Sequence, residues 1–258
     1  MTTSIPELTL YSAKVCPWAQ RATLAVEEVG AKVNHIEIDL ANKPSWCLLR
    51  APRSCLLVSR PGSVPRRKPS DQSTPTDAEK VNPASKVPVL ALGNEANIPE
   101  SHVILELIAD LYKDTEKSIL PETPLLRAEA RYFIERFNQV VWTPAVGILF
   151  QGKAENGPSV LAGITEIQGL LKKHAGPFAL GSKVTIADLG VLPFIGRILT
   201  LGKAGLLKGG VYEEIVKDSK YKSFVDYADA LMARPSFAAT FDEAYILEKM
   251  KARIAASA

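Results

Sequence analysis

Up to about residue 113, apolar side chains recur in two alternating rhythms; beyond Pro121 only one of them survives. Leu8–Tyr11 is a short apolar strand. Trp18, Ala22, Ala25, Val26 and Val29 then form one helical stripe that stops at Gly30. Ile36, Ile38 and Leu40 alternate with His35, Glu37 and Asp39, the period of a strand. VPVLAL (87–92) predicts another strand, a turn at Gly93-Asn94 leads to a short one near Ile98, and a helix starts at Ser101. Past the Pro121–Pro124 linker, residues 125–142, 158–174, 185–199 and 221–233 all read as amphipathic helices, with no strand period among them. Thr185 and Asp188 have the spacing of a capping box at the start of the third. The expectation is an α/β domain over 1–113 followed by an all-helical domain over 121–258. At about 150 residues per domain, the length allows both.

One segment obeys neither rhythm. From Cys47 to Asp77 the chain has five prolines, no aromatic residue and a Ser/Thr/Asp-rich end. It reads as a long loop or disordered insert. It also distorts the charge balance. The whole chain is formally +3, but six of its 31 basic and two of its 28 acidic residues lie in that segment, so the remainder is −1. Neither figure implies a nucleic-acid partner.

No membrane partner is expected. The longest uncharged stretch, Phe137–Gly152, contains Asn138, Gln139, Thr143 and Pro144, whereas a spanning helix needs roughly 18 or more apolar residues. The N-terminal MTTSIPELTL has no basic or apolar region of the secretory kind. Three cysteines, Cys16, Cys47 and Cys55, make no disulfide framework, so a reducing, cytoplasmic setting is expected.

Cys16 is the residue best placed for chemistry. It ends a strand–loop–helix connection at the first turn of the helix, with Pro17 suited to position N1. Unpaired amides and the helix dipole favour a thiolate there, and a thiolate is a nucleophile. Position 19 is Ala, so there is no Cys-x-x-Cys pair, and an external thiol would have to resolve any disulfide. The competing role is a small buried hydrophobe. Pro88 is either an edge device or a cis-proline that leaves neighbouring backbone groups open to a peptide-like ligand. Ser101, after Glu100, is either a helix N-cap or part of a carboxylate site. His35, His102 and His174 lack metal-ligand spacing, so no metal is expected.

Taken together, CPWAQR (16–21), NKPSW (42–46), NPASKVPVL (82–90), PES (99–101), TIADL (185–189) and ARPSF (233–237) resemble the glutathione transferases. The first two segments are similar to the omega class, and particularly to its fungal members. The resemblance implies an α/β thioredoxin-like N-terminal domain plus an all-α C-terminal domain, a homodimer, and a role in detoxification. It implies that Cys16 forms a mixed disulfide with the co-substrate glutathione, with Pro17 and Trp18 beside it. Lys43 would reach the glycine carboxylate, Val87 before cis-Pro88 the cysteinyl part, and Glu100 with Ser101 the γ-glutamyl end. Trp18, Tyr132 and Trp142 would wall a site for hydrophobic or glutathionylated small molecules. The implied chemistry is thioltransferase (deglutathionylation) or glutathionyl-ketone lyase turnover. Ser12 could instead support serine-type conjugation, and a non-catalytic carrier of hydrophobic aromatics is the other class; a silent regulatory or structural relative is a third. The chain departs from the family between Trp46 and Asn82, where 35 residues replace a short connection. The excess, 47–77, is either a true loop insertion, tolerable because closure cost grows only logarithmically, or translated intron sequence.

Overall fold

The structure is a computed structural model and describes residues 5–40, 82 and 86–255. Lys43 and the 47–77 segment lie outside the described residues, so the question of the insert does too.

Four strands form one mixed sheet in the order β2-β1-β3-β4. They are β1 (Leu8–Ser12), β2 (Val33–Glu37), β3 (Val89–Leu92) and β4 (Ala96–Pro99). β1 and β2 run parallel, with Leu8 opposite Val33, joined by helix α1 (Pro17–Val29). β3 is antiparallel to β1, with Leu10 opposite Leu90, and β4 closes a hairpin with Leu90 opposite Ile98. The alternation in β1 buries Leu8, Leu10 and Ser12. Ala19, Ala22, Val26 and Val29 form the inner face of α1. Gly30 ends that helix in the left-handed region at φ 68°, where a side chain would be strained. Helix α2 (Ser101–Leu111) buries Ile104, Leu105, Ile108 and Ala109 beside α1.

The rest is helical: α3 (Pro124–Phe137), α4 (Thr143–Gln151), α5 (Gly157–Leu171), α6 (Ile186–Lys203), α7 (Val211–Lys217), α8 (Lys222–Met232), α9 (Pro235–Thr240) and α10 (Glu243–Ala255). The single helix expected over 125–142 is instead α3 followed by a π-helical turn, Asn138–Trp142. Pro144 has no N–H to give the Val140 carbonyl, so an α-ladder cannot run through. The Thr143 N–H reaches back to the Asn138 carbonyl instead, and the Thr143 hydroxyl donates to the same oxygen at 2.9 Å. Gly163 on α5 makes room for this turn; a Cβ there would sit 2.1 Å from the Val140 oxygen.

Helix α6 differs from expectation in kind. It is not amphipathic: every residue from Ile186 to Ile198 is buried, as befits the central helix of a bundle. The expected capping box is present, with Thr185 and Asp188 as its two members. Asp188 is fully buried. Its carboxylate accepts from the N–H groups of Ala179 and Thr185 (both 2.8 Å), the Thr185 hydroxyl (3.1 Å) and the Tyr227 hydroxyl (3.0 Å). Burial pushes this carboxyl above its ordinary value, and those donors offset the rise only in part.

The ARPSF segment joins the two halves of the molecule. Arg234 forks onto the Glu28 carboxylate of α1 with two bonds of 2.6 Å, and the Ser236 hydroxyl donates to the same group. Burial raises Glu28, but these hydrogen bonds outweigh it and hold the carboxyl below its ordinary 4.5. Among the described residues no helix is long and apolar enough to cross a membrane.

Candidate functional site

The chain leaves β1 at Ser12, makes a tight turn and enters α1 through Cys16. That residue is the N-cap, with extended backbone at φ −84°, ψ 117°. Its N–H closes the turn on the Ala13 carbonyl at 2.9 Å, and its own carbonyl accepts from Gln20 at 3.1 Å. The side chain makes no capping hydrogen bond and is half-buried. The Cys16 side chain is therefore at the amide end of a 13-residue helix, half-buried and without a capping hydrogen bond. Pro17 occupies the first turn, as expected.

The neighbouring strand brings the second feature. The Val87–Pro88 peptide is cis and leads directly into β3, the antiparallel neighbour of β1. Val87 is half-buried and Pro88 buried. Beyond β4, Glu100 stands at φ 70°, the one non-glycine residue with positive φ among those described. Glu100, not Ser101, is the N-cap of α2; Ser101 is its first helical residue, buried, with its hydroxyl 3.4 Å from Arg21 Nη1. Capping chemistry therefore does not account for this serine. A strained residue followed by a buried hydroxyl at a helix start is instead a pattern found at ligand sites.

Arg21 ties these pieces to the helical half. Its buried guanidinium donates to the Gly190 carbonyl at 2.6 Å and to Asn138 Oδ1 at 3.1 Å. It lies over the rings of Trp18 (4.5 Å) and Phe194 (4.6 Å). Burial pulls it down to about 9, opposed by Glu135.

Phe194 packs edge-on to Trp18 at 4.7 Å and meets Trp142 at 4.8 Å. Of the three aromatic residues expected to wall a substrate site, Trp18 is 38% exposed, while Trp142 is 7% exposed and belongs to the core beneath it. Tyr132 is exposed on α3 in a different groove, beside Glu129, Phe133 and His174, and the structure does not bring it to this cluster. Ser12 is buried, and its carbonyl accepts from the Ile38 N–H at 2.7 Å. No group of three or more metal-ligating side chains occurs among the described residues.

One residue of the site escaped the sequence reading. Arg197, on α6, is 1% exposed and points its guanidinium at the Cys16 turn. Its Nη2 donates to the carbonyls of Lys14 (3.3 Å) and Val15 (3.1 Å). Its Nη1 donates to Gln20 Oε1 (2.5 Å) and the Pro193 carbonyl (2.9 Å). The available signal was a single cation between Asp188 and Lys203, in the apolar middle of that helix.

The family model for the glutathione S-transferase N-terminal domain matches residues 15–111, which hold Cys16, cis-Pro88, Glu100 and Ser101. The structure of glutathione transferase Omega 2C from Trametes versicolor is similar over nearly the whole chain. It is 33% identical, with a TM-score of 0.77 and 97% of this chain and 99% of that one covered. The chain belongs to the glutathione transferase family. Glutathione transferase Omega 1C from the same fungus matches at 30% identity and TM-score 0.79, covering 98% of each chain. Further relatives match over a smaller part of the chain. A probable maleylacetoacetate isomerase of Caenorhabditis elegans is 32% identical over 129 residues. The match spans 58% of that protein's length, and 64% of a probable cytosolic glutathione S-transferase, DHAR1, of Oryza sativa. The four-stranded mixed sheet and the helical remainder are the glutathione transferase fold, and members of the family use glutathione as co-substrate.

Proposed function

We propose that this chain is an omega-type, cysteine-dependent glutathione transferase that removes glutathione from small-molecule mixed disulfides or from glutathionyl ketones. The observation that carries the reading is the half-buried Cys16 side chain, without a capping hydrogen bond, at the start of α1. The omega-class names of the two Trametes versicolor proteins support it. In this reading 1–113 is the glutathione-binding domain and 121–258 the substrate domain. Val87, Glu100 and Ser101 hold glutathione from its cysteinyl part to its γ-glutamyl end, and Lys43 takes the glycine carboxylate. Trp18 gives the second substrate an apolar surface beside the sulfur.

The chemistry is thiol–disulfide exchange. The Cys16 thiolate attacks the glutathionyl sulfur of the substrate. The bond from that sulfur to the rest of the substrate breaks, and the leaving group departs as a thiolate or, from a ketone, as an enolate that takes a proton from water. A second glutathione, as its thiolate, then attacks the glutathionyl sulfur now bonded to Cys16. Glutathione disulfide leaves, and the Cys16 thiolate is restored. A homodimer in the cytoplasm is part of the same proposal.

Cys16→Ser tests it. Turnover of a glutathionyl mixed disulfide should disappear, while binding to immobilised glutathione remains within about threefold, since a single thiol contributes little to a multi-point contact. Retained turnover in that variant overturns the assignment. Wild-type protein that displaces a fluorescent hydrophobic dye yet shows no turnover would make the chain a carrier instead.

A further inference from the structure

The geometry points to Arg197 as a positioning residue for Cys16, one that clamps the two carbonyls ahead of the cysteine and supplies a buried positive charge beside its thiolate. The inference rests on the proposed role of Cys16 as nucleophile.

Three observations converge on it. The first is place. Lys14 and Val15 immediately precede Cys16, and one Arg197 nitrogen holds both of their carbonyls. The Val15 carbonyl belongs to the same peptide group as the Cys16 N–H, so a cation on that oxygen polarises the amide nearest the sulfur. The same guanidinium also grips Gln20, one turn into α1. Arg197 therefore fixes the turn and the helix start relative to each other, across a separation of 177 residues.

The second is cost. A guanidinium with 1% exposure has given up its hydration. A buried charge is ordinarily matched by a carboxylate. Among the described residues Arg197 hydrogen-bonds only to neutral acceptors, namely three carbonyls and an amide oxygen. Its Nε–H, also buried, has no acceptor among them. A structural clamp for two carbonyls needs no full charge; a partner that becomes anionic during turnover does.

The third is electrostatic. Burial pulls Arg197 down to about 10, and the opposing influence comes from Cys16. The other charged groups around the turn differ in setting. Lys14 and Glu37 are exposed, with the Glu37 carboxylate taking the Lys14 N–H at 2.8 Å. Arg21 on α1 is committed to Gly190, Asn138 and Ser101. On the C-terminal side Arg197 meets the Phe241 ring at 5.6 Å, with Asp242 exposed beyond it.

The test labels Cys16 with iodoacetamide and follows its own peptide by mass spectrometry, so that Cys47 and Cys55 do not interfere. For Arg197→Met, the ratio of labelling rates at about pH 6 and about pH 9 should fall about tenfold against wild type. The same variant should lose kcat for a glutathionyl mixed disulfide, with KM for glutathione within about twofold. Arg197→Lys restores the charge without the planar fork and should fall between the two. A folded Arg197→Met with the wild-type labelling ratio overturns the inference, as does an Arg197→Lys no better than Met. Where Arg197→Met does not fold, Arg197→Lys alone decides: a lowered ratio supports the clamp, and the wild-type ratio overturns it. If alkylating Cys16 leaves wild-type turnover intact, the nucleophile assignment fails instead, and the Arg197 labelling comparison still stands on its own.

Discussion

Replacing Asp188 with Ala should strongly destabilise the fold. The carboxylate is fully buried and serves four donors: two backbone amides, of Ala179 and Thr185, and two hydroxyls, of Thr185 and Tyr227. The Thr185 hydroxyl can turn elsewhere. The two amides and the Tyr227 hydroxyl cannot, because Ala179, Thr185 and Tyr227 are each at most 8% exposed. Each buried donor left without a partner costs about 1–3 kcal/mol, partly offset if water enters the space vacated. The sum is about 3–6 kcal/mol, a large fraction of the roughly 5–15 kcal/mol that holds a protein folded. Urea unfolding followed by far-UV circular dichroism measures it directly. Asp188→Asn keeps the size and one acceptor oxygen, so it should lose about half as much. A loss below about 1 kcal/mol for Asp188→Ala, with an unchanged denaturant slope, would refute the reasoning.

Two further outcomes follow from contacts elsewhere. The Glu28 carboxyl is lowered in the fold, so its contribution is fully present above its unfolded value and is lost as pH falls through its folded value. Glu28→Gln should therefore flatten the acid limb of the stability–pH curve below about pH 4.5, measured by urea midpoints; an acid limb identical to wild type counts against the Arg234 and Ser236 bonds as its source. Gly163→Ala would place a Cβ 2.1 Å from the Val140 oxygen, and pushing the π turn away should cost about 1–3 kcal/mol in thermal unfolding. An unaffected Tm would mean that the turn gives way freely.

Much of the architecture was legible because period and punctuation are local. The stripe from Ala22 to Val29, the stop at Gly30 and the Thr185–Asp188 box each depend on residues a few positions apart, and the structure has them all; Trp18, the expected first member of the stripe, is exposed instead. Segments without a clear stripe were not legible. Helix α4 is apolar on most of its surface, and α7 and α9 are only 7 and 6 residues long, too short to show a period. At the site, Cys16 and Pro17 could be placed because a strand–loop–helix connection defines their surroundings. Trp142 and Tyr132 could not, because helical spacing says which residues share a face but not what that face meets.

The sequence by itself determined the order of β1, α1, β2, β3, β4 and α2 and the helix boundary at Cys16, since each follows from neighbours along the chain. Only the tertiary structure decided what surrounds that sulfur. Arg197 lies 181 positions after Cys16 in the chain yet holds the turn before it, and Arg21 links Ser101 to Gly190. Among the described residues neither buried guanidinium hydrogen-bonds to a carboxylate, at a cost that no local pattern can reveal. Their place is set by the packing of α6 against α1, which brings remote residues together by burying apolar surface on both helices.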